Sequence, residues 1–179
     1  CSPVSCRTAG SSNTGAGAQQ TVDVRASSHA YDAAFVAGVA AGATDVAATG
    51  AVGVNTFNRS TKAEIINSTL TSRAATNVAA EASQRSVDAV VGLAAAIAGG
   101  AGTGVTNVFN ADTEANVYGG SLTTGSLAIG AHDESDANMI GGAGAFGGVA
   151  VAGTFLLSSS TNTTLATLGS TAGDTAVHT

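Results

Sequence analysis

The chain contains two similar twelve-residue segments, identical at five positions. VNTFNRSTKAEI (54–65) is followed, at an offset of 52 residues, by TNVFNADTEANV (106–117). At this offset seven residues, two of them just beyond the segments, match the same or a similar residue. Phe57, Asn58, Thr61, Ala63, Ile65, Leu70 and Thr71 match Phe109, Asn110, Thr113, Ala115, Val117, Leu122 and Thr123. Self-similarity at a period of about 20–50 residues indicates stacked, repeating structural units.

Weaker similarity extends the repeat in both directions. Residues 75–92 match residues 126–141 after small deletions, and Asp32, Asp88 and Asp136 are predicted to open equivalent segments. Residues 155–171 resemble residues 57–72 with the charged positions replaced by Ser and Thr. The sequence therefore predicts about three units of roughly fifty residues each.

The units are predicted to be β-structure. Residues 84–98 alone have helical spacing, but the equivalent residues 139–153 hold five Gly between 141 and 148, and each costs about 1 kcal/mol in a helix. Elsewhere apolar residues recur two apart, as at Val22 and Val24 or Ala63 and Ile65, which is typical of strands. We predict an all-β parallel β-helix (β-solenoid) built from these repeats. A globular β-sandwich is the alternative, but it does not explain the repeat.

The composition favours closely approaching backbones. Hydrophobic residues make up 44% of the chain, mostly Ala and Val, with 24 Gly and only 4% aromatics. The expected repeat core is Phe57, Phe109, Ile65, Val117, Leu70 and Leu122, with the two Phe rings stacked inside. Residues 1–20 lack alternation and are expected to be a flexible arm or connector, able to order by pairing with a neighbouring subunit; residues 21–179 form the solenoid domain.

Charge argues against several partners. The net charge is −6, and the six basic residues are scattered, so neither nucleic acid nor an anionic membrane surface is an expected partner. The small-apolar run 89–102 is shorter than the roughly 20 residues of a membrane span. The chain begins at Cys1 rather than Met, which suggests a processed, secreted protein.

Three interpretations of Cys1 and Cys6 remain open. They form a disulfide, within this segment or between subunits; or Cys1 is lipidated as in a bacterial lipoprotein; or both are terminal thiols without a role.

No set of residues indicates catalysis. His132, Asp133, Glu134 and Asp136 (in 131–136) are interpreted as a polar turn rather than a cation site, and Asp112 and Glu114 (in 110–114) likewise. There are three His residues and no G-x-S-x-G elbow, so we expect no enzyme, cofactor or metal. Thr69 and Thr71 align with Ser121 and Thr123, a short hydroxyl ladder that makes ice binding a distant third possibility.

The repeats resemble those of very large bacterial filamentous adhesins of the leukotoxin and filamentous haemagglutinin kind. A small-apolar block, then V-N-x-x-N, T-x-A-x-I and L-T, as in residues 50–72, carries the resemblance, which covers about residues 21–171. It implies secretion, an extended β-helix and adhesive or structural work, and it transfers no catalytic residue.

The leading functional hypothesis is a self-assembling subunit of an extracellular filament or surface fibre, for adhesion or a biofilm matrix. Residues 155–171 continue the repeat without a visible cap, so solenoid ends are expected to stack head to tail. The alternative is a monomeric adhesin module that binds a glycan or a host protein through one face. Both hypotheses place the protein outside the cell or on its surface.

Overall fold

The computed structural model describes residues 4–7, 20–42, 45–169 and 175–178. These residues form eight strands: β1 (Val4–Arg7), β2 (Val22–Ala41), β3 (Val46–Thr71), β4 (Ala75–Ala95), β5 (Ala98–Thr123), β6 (Ser126–Phe146), β7 (Val149–Leu168) and β8 (Thr175–His178). The predicted all-β class is confirmed over these ranges, which include no helix able to cross a membrane.

The strands form two parallel sheets. Sheet A has the order β1-β3-β5-β7, with β8 also beside β5, and sheet B has the order β2-β4-β6. The chain alternates between the sheets, so that unit 1 is β2 with β3, unit 2 is β4 with β5, and unit 3 is β6 with β7. Every described pair is parallel, which does not fit a β-sandwich of antiparallel sheets.

The 52-residue offset is confirmed between β3 and β5, where Phe57 lies beside Phe109 and Ile65 beside Val117. The offset is larger than 52 residues between β2 and β4, where Val22 pairs with Thr76. It is smaller than 52 residues in the last two pairs of strands, where Ala75 pairs with Ser126 and Ala98 with Val149. The turns absorb these differences. Residues 42–45 connect β2 to β3, but only residues 96–97 and 147–148 make the equivalent connections. The ladders therefore stay in register while turn length varies.

Two details of the repeat alignment were wrong. β4 and β6 pair without a deletion, which puts Asp88 beside Met139 and Asp136 beside Arg85, so the three Asp residues are not equivalent. The missing residue lies in the turn 124–125, one residue shorter than 72–74. In β7, Ser160 rather than Phe155 lies beside Phe109.

The two sheets face each other across a core of small side chains. Alternate residues point inward, and the largest buried apolar cluster contains Val24, Ala26, Ala63, Ile65, Val78, Ala80, Ala115, Val117 and Leu122. Leu70 packs partly buried against it. Phe109 is 1% exposed and Phe57 half-buried, and their rings stack with centroids 4.9 Å apart and planes 10° apart. The expected aromatic stack is therefore present.

A left-handed kink changes which residues point inward near the end of β3 and β5. Asn67 has a φ of 47°, and Gly119 and Gly120 have φ values of 70° and 87°. Before the kink Ile65 and Val117 face the core, and after it Leu70 and Leu122 do. A Cβ on Gly120 would lie 2.2 Å from the Ser68 carbonyl oxygen of the backbone, so this position requires glycine.

Phe109→Ala is expected to lower the free energy of unfolding by about 3–5 kcal/mol, because it removes a fully buried ring and leaves a cavity. Phe35→Ala is the matched control, because Phe35 is 71% exposed on the outside of sheet B and its loss should change stability by less than about 0.5 kcal/mol. Urea unfolding measures both. Equal losses in the two variants would contradict the assignment of Phe109 to the core.

Candidate assembly surfaces

The first and last units present free strand edges. Among the described strands β2 and β6 each pair only with β4, and β7 pairs only with β5. On the other side of unit 1, β1 covers β3 only from Thr61 to Glu64. Long rows of backbone donors and acceptors are therefore open at both ends, and such rows template the addition of further strands.

The orientation of the free backbone groups can be determined for β7. The Val149 N–H donates to the Ile97 carbonyl (3.1 Å) and the Gly169 N–H to the Val117 carbonyl (3.0 Å). Alternate residues of a strand direct their backbone groups to opposite sides, so the even-numbered N–H groups between them point to the free edge. The side chains of these even-numbered residues face the space between the sheets.

A second copy that continued the same register would place unit 1 on unit 3. A row is the set of residues that lie beside one another in successive strands of a sheet. If each row continued from unit 3 into the next copy, Val24 of that copy would lie on Ile129, and its Ala63 would lie on Ala166. Ile65 would likewise lie on Leu168. The apolar rows of the two ends coincide.

The polar rows coincide as well. Asn55 of the next copy would lie on Ser158, and Arg59 on Asn162. Among the exceptions are Phe57, which would meet Ser160, and the inward Asp32, which would meet Ala137. The two ends are therefore largely self-complementary in side-chain class.

Charged side chains lie between the sheets at both ends: Asp133 in unit 3, and Arg59 and Asp32 in unit 1. In unit 3, Asp133 accepts hydrogen bonds from Asn162 Nδ2 (2.5 Å), Thr113 Oγ1 (3.2 Å) and Ser135 Oγ (3.3 Å). In unit 1, Arg59 Nη1 donates to the carbonyls of Ser28 (2.9 Å) and Ser83 (2.5 Å).

Burial lowers the pKa of Arg59, and the Asp133 carboxylate acts in the opposite direction. Arg59 remains a cation at neutral pH, since guanidinium groups do not deprotonate in proteins. The Arg59 guanidinium of one copy therefore attracts the Asp133 carboxylate of a stacked copy, whereas the Asp32 carboxylate of unit 1 repels it.

A buried polar cluster joins the sheets in the middle of the structure. Asp88, 1% exposed, accepts hydrogen bonds from Asn55 Nδ2 (2.7 Å), Asn107 Nδ2 (2.6 Å) and Ser86 Oγ (2.5 Å). Asn55 Nδ2 also donates to Asn107 Oδ1 (3.2 Å). Asn55 and Asn107 lie beside each other in the β3–β5 ladder, so the repeat itself builds half of this cluster.

Opposite charges and amides also form ladders on the outer faces. Lys62 Nζ lies 2.9 Å from Glu114 Oε2, Arg85 Nε lies 3.4 Å from Asp136 Oδ2, and Asn110 Nδ2 donates to Asn58 Oδ1 (2.9 Å). The hydrogen bond to Glu114 raises the pKa of Lys62. This contact therefore stabilises the fold below the ordinary lysine pKa of 10.5 and is lost as the pH rises through the raised value. Because these pairs are partly exposed, they contribute more to register than to stability.

The two acidic segments interpreted as turns lie within strands, so that interpretation was wrong. Residues 131–136 belong to β6 and residues 110–114 to β5. Alternation directs His132, Glu134 and Asp136 outward and Asp133 inward, so the four do not converge. Over the described ranges there is no group of three or more His, Cys, Asp or Glu side chains able to hold a metal.

The hydroxyl ladder is present but short. Thr69 lies beside Ser121, and Thr71 beside Thr123. The neighbouring strand β8 offers Ala176 and His178 at these positions, so the ladder is two strands wide.

The two cysteines lie where little is described. Cys1 lies outside the described residues, and Cys6 is a backbone position of β1 beside Ala63, with its side chain also outside them. The three interpretations of these cysteines stay predictions. Residues 8–19 of the expected arm are likewise outside the described residues, whereas residues 4–7 pair with β3 of the same chain.

Asp88→Ala is expected to lower the free energy of unfolding by about 2–3 kcal/mol, because two buried amide donors, Asn55 and Asn107, lose their shared acceptor. The control is Asp45→Ala, at an exposed position directly before β3, which should change stability by less than about 0.5 kcal/mol. Urea unfolding at neutral pH compares the two variants. A neutral Asp88→Ala would mean that the cluster contributes nothing to holding the sheets together.

Comparison with known proteins gives no match: no family model, no curated protein and no solved structure is similar to this chain at a significant level.

Proposed function

We propose that this chain is a short β-solenoid, in which each unit is one coil, and that it polymerises head to tail into an extracellular filament. The observation that supports the proposal is the match between its two open ends. Parallel ladders run through all three units in register, and their continuation pairs most apolar rows with apolar rows and most polar rows with polar rows. A head-to-tail contact of this kind does not close on itself, so it generates an open fibre.

Stacking would satisfy the groups that unit 3 leaves open. Leu168 is 53% exposed and Leu156 39% exposed, although both point into the space between the sheets. A following unit 1 would bury these side chains and pair the free edges of β6 and β7. Each joint adds two strands of about twenty residues, so backbone hydrogen bonds and apolar burial both favour it.

β1 competes with stacking over a short stretch. Thr61–Glu64, which β1 covers, are also the residues that Thr164–Thr167 of the preceding copy would pair with. Four ladder positions are few against the length of β3, so a stacking copy displaces β1 at small cost. The displaced segment then lies at the joint, close to a neighbouring subunit.

Adhesive or matrix work outside the cell fits this architecture and the resemblance to filamentous adhesin repeats. A polymer of paired backbones resists proteolysis because few peptide bonds open without breaking the ladder. The partner of the chain is then another copy of itself, and a glycan or cell-surface ligand remains the partner of the alternative, the monomeric adhesin module.

Ala166→Lys is expected to abolish filaments. Ala166 is exposed in the single chain, faces inward and would be buried against Ala63 of the next copy, where a charge has no partner. Leu165→Lys is the matched control, because the adjacent side chain faces outward beside Glu114 and stays exposed in a filament. Negative-stain electron microscopy of both variants and the parent chain, with and without reductant, measures the outcome.

Filaments of the parent and of Leu165→Lys, but not of Ala166→Lys, would support stacking through the free edge of unit 3. Shortening on reduction would give Cys1 and Cys6 a role between subunits. Compact single particles of the parent chain at all concentrations would overturn the proposal and favour the adhesin module, for which glycan screening is the next step.

Deleting residues 1–7 is expected to lower the protein concentration at which filaments appear, because β1 no longer occupies the β3 edge. Light scattering across a dilution series measures this threshold for the truncated and full chains. A higher threshold after truncation would show that the segment promotes assembly instead of competing with it.

A further inference from the structure

Charge is confined to one half of each strand. The apolar half comprises residues 33–57, 87–108 and 138–158, and its only Asp, Glu, Lys or Arg residues are Asp45 and Asp88. Asp45 is exposed directly before β3, and Asp88 is buried between the sheets. Parallel pairing brings the three segments together at the end of the molecule where β2, β4 and β6 turn into β3, β5 and β7.

The outer faces of the apolar half are exposed on both sheets. On sheet B they carry Phe35, Val39, Val91, Leu93, Ile140 and Phe146. On sheet A they carry Val46, Val52, Val54, Val149, Val151, Phe155 and Leu157. Thus neither the core nor a stacked copy covers these side chains, because both contacts use other surfaces.

We infer that filaments of this protein associate side by side, with the apolar half of one filament packed face to face on the apolar half of another. The occupant of the apolar face is therefore a second copy of the same chain. This inference rests on the proposed head-to-tail filament. It adds lateral contacts between filaments to the longitudinal contacts within them.

Area explains why the lateral contact needs the filament. Three strands about 4.8 Å apart and about nine residues long present roughly 400 Å² on each face, whereas a stable interface buries about 800 Å² per partner. One chain is too small, but the apolar rows run straight along the stacking direction, as in Val46–Ala98–Val149. Two or more stacked copies exceed the threshold, and longer filaments bind each other with avidity.

Surface shape also favours this packing. Small residues form rows across sheet A, as at Gly50–Gly102–Gly153, and two flat sheet faces pack at about 10 Å. Since both faces of the apolar half are exposed, a filament that is covered on one face still offers the other. Association therefore produces layered bundles as well as pairs.

Charge determines how far two filaments overlap. The polar half comprises residues 20–32, 58–86, 109–137 and 159–169. In this half nine acidic residues outnumber five basic ones. The acidic residues are Asp23, Asp32, Glu64, Glu81, Asp112, Glu114, Asp133, Glu134 and Asp136, and the basic residues are Arg25, Arg59, Lys62, Arg73 and Arg85. Full overlap would bring two negative surfaces together. Overlap of the apolar halves alone, with the polar halves projecting in opposite directions, avoids this repulsion.

This geometry predicts a width. Strands of twenty or more residues at about 3.3 Å per residue give a single filament about 75 Å wide, and overlap of the apolar halves gives a pair about 115 Å wide.

A lipid bilayer fits the apolar half less well than a second copy does. Free edges of β2, β6 and β7 run through this half, and unpaired backbone groups are not tolerated in the hydrocarbon of a membrane. In a lateral pair of filaments stacking has already paired these edges.

The test compares the parent chain with two variants that change only outward side chains. The combined substitution Phe35→Lys, Val39→Lys, Val52→Lys and Val54→Lys places charge on both apolar faces. The matched control, Ser27→Lys, His29→Lys, Asn58→Lys and Ser60→Lys, places the same charge on outward positions of β2 and β3 in the polar half. Electron microscopy gives filament widths, urea unfolding checks the fold, and flotation with phosphatidylcholine vesicles tests lipid binding.

Bundles or pairs about 115 Å wide for the parent and control, but single filaments about 75 Å wide for the apolar-face variant, support the inference. Single filaments of the parent chain overturn it and leave head-to-tail stacking intact. The absence of any filaments overturns both proposals. Flotation of the parent but not of the apolar-face variant, without bundles, replaces the second copy by a lipid surface.

Discussion

In-register backbone pairing between successive units is the constraint on which the rest of this structure depends. Each long strand lies parallel to the equivalent strand of the next unit, and this pairing aligns like residues such as Phe57 with Phe109 and Asn55 with Asn107. Identical side chains then make identical contacts, by ring stacking in the first pair and by amide hydrogen bonding in the second. Core packing therefore follows from the pairing of the strands. Small side chains are enough to fill the core because hydrogen bonds between the backbones hold most of the structure in place.

The sequence could predict those features that the ladder repeats. The Phe, Asn and Ile positions at an offset of 52 residues indicated the β3–β5 register, and the Gly-rich third unit excluded helix. The predicted alignment of β4 with β6 was wrong because the one-residue difference was placed inside the strand. In the structure this difference lies in the turn before β6, since a gap within a strand would break its register.

Which side chains of a strand face the core was harder to predict than the strand itself. Val22 and Val24 face the core, whereas Val52 and Val54, with the same spacing, face outward. Alternation alone shows that two residues share a side, and only the opposing sheet determines which side is inside. The acidic segment 131–136 failed for a similar reason: polar residues are typical of turns, yet here they occupy both faces of a strand at an open end. Nothing in the sequence indicated that Asp88 accepts hydrogen bonds in a buried cluster, since its amide partners Asn55 and Asn107 come from the other sheet.

The unequal turns at the apolar end have an engineering consequence. Residues 42–45 connect β2 to β3 with two residues more than the equivalent connections 96–97 and 147–148, and the register of both sheets is unaffected. Loop closure becomes only slightly less favourable as a connection lengthens. In the proposed filament, a foreign peptide inserted between residues 42 and 45 would thus be displayed once per chain, at intervals of three strand spacings or about 14 Å. The chain would then serve as a scaffold for dense, regularly spaced epitopes.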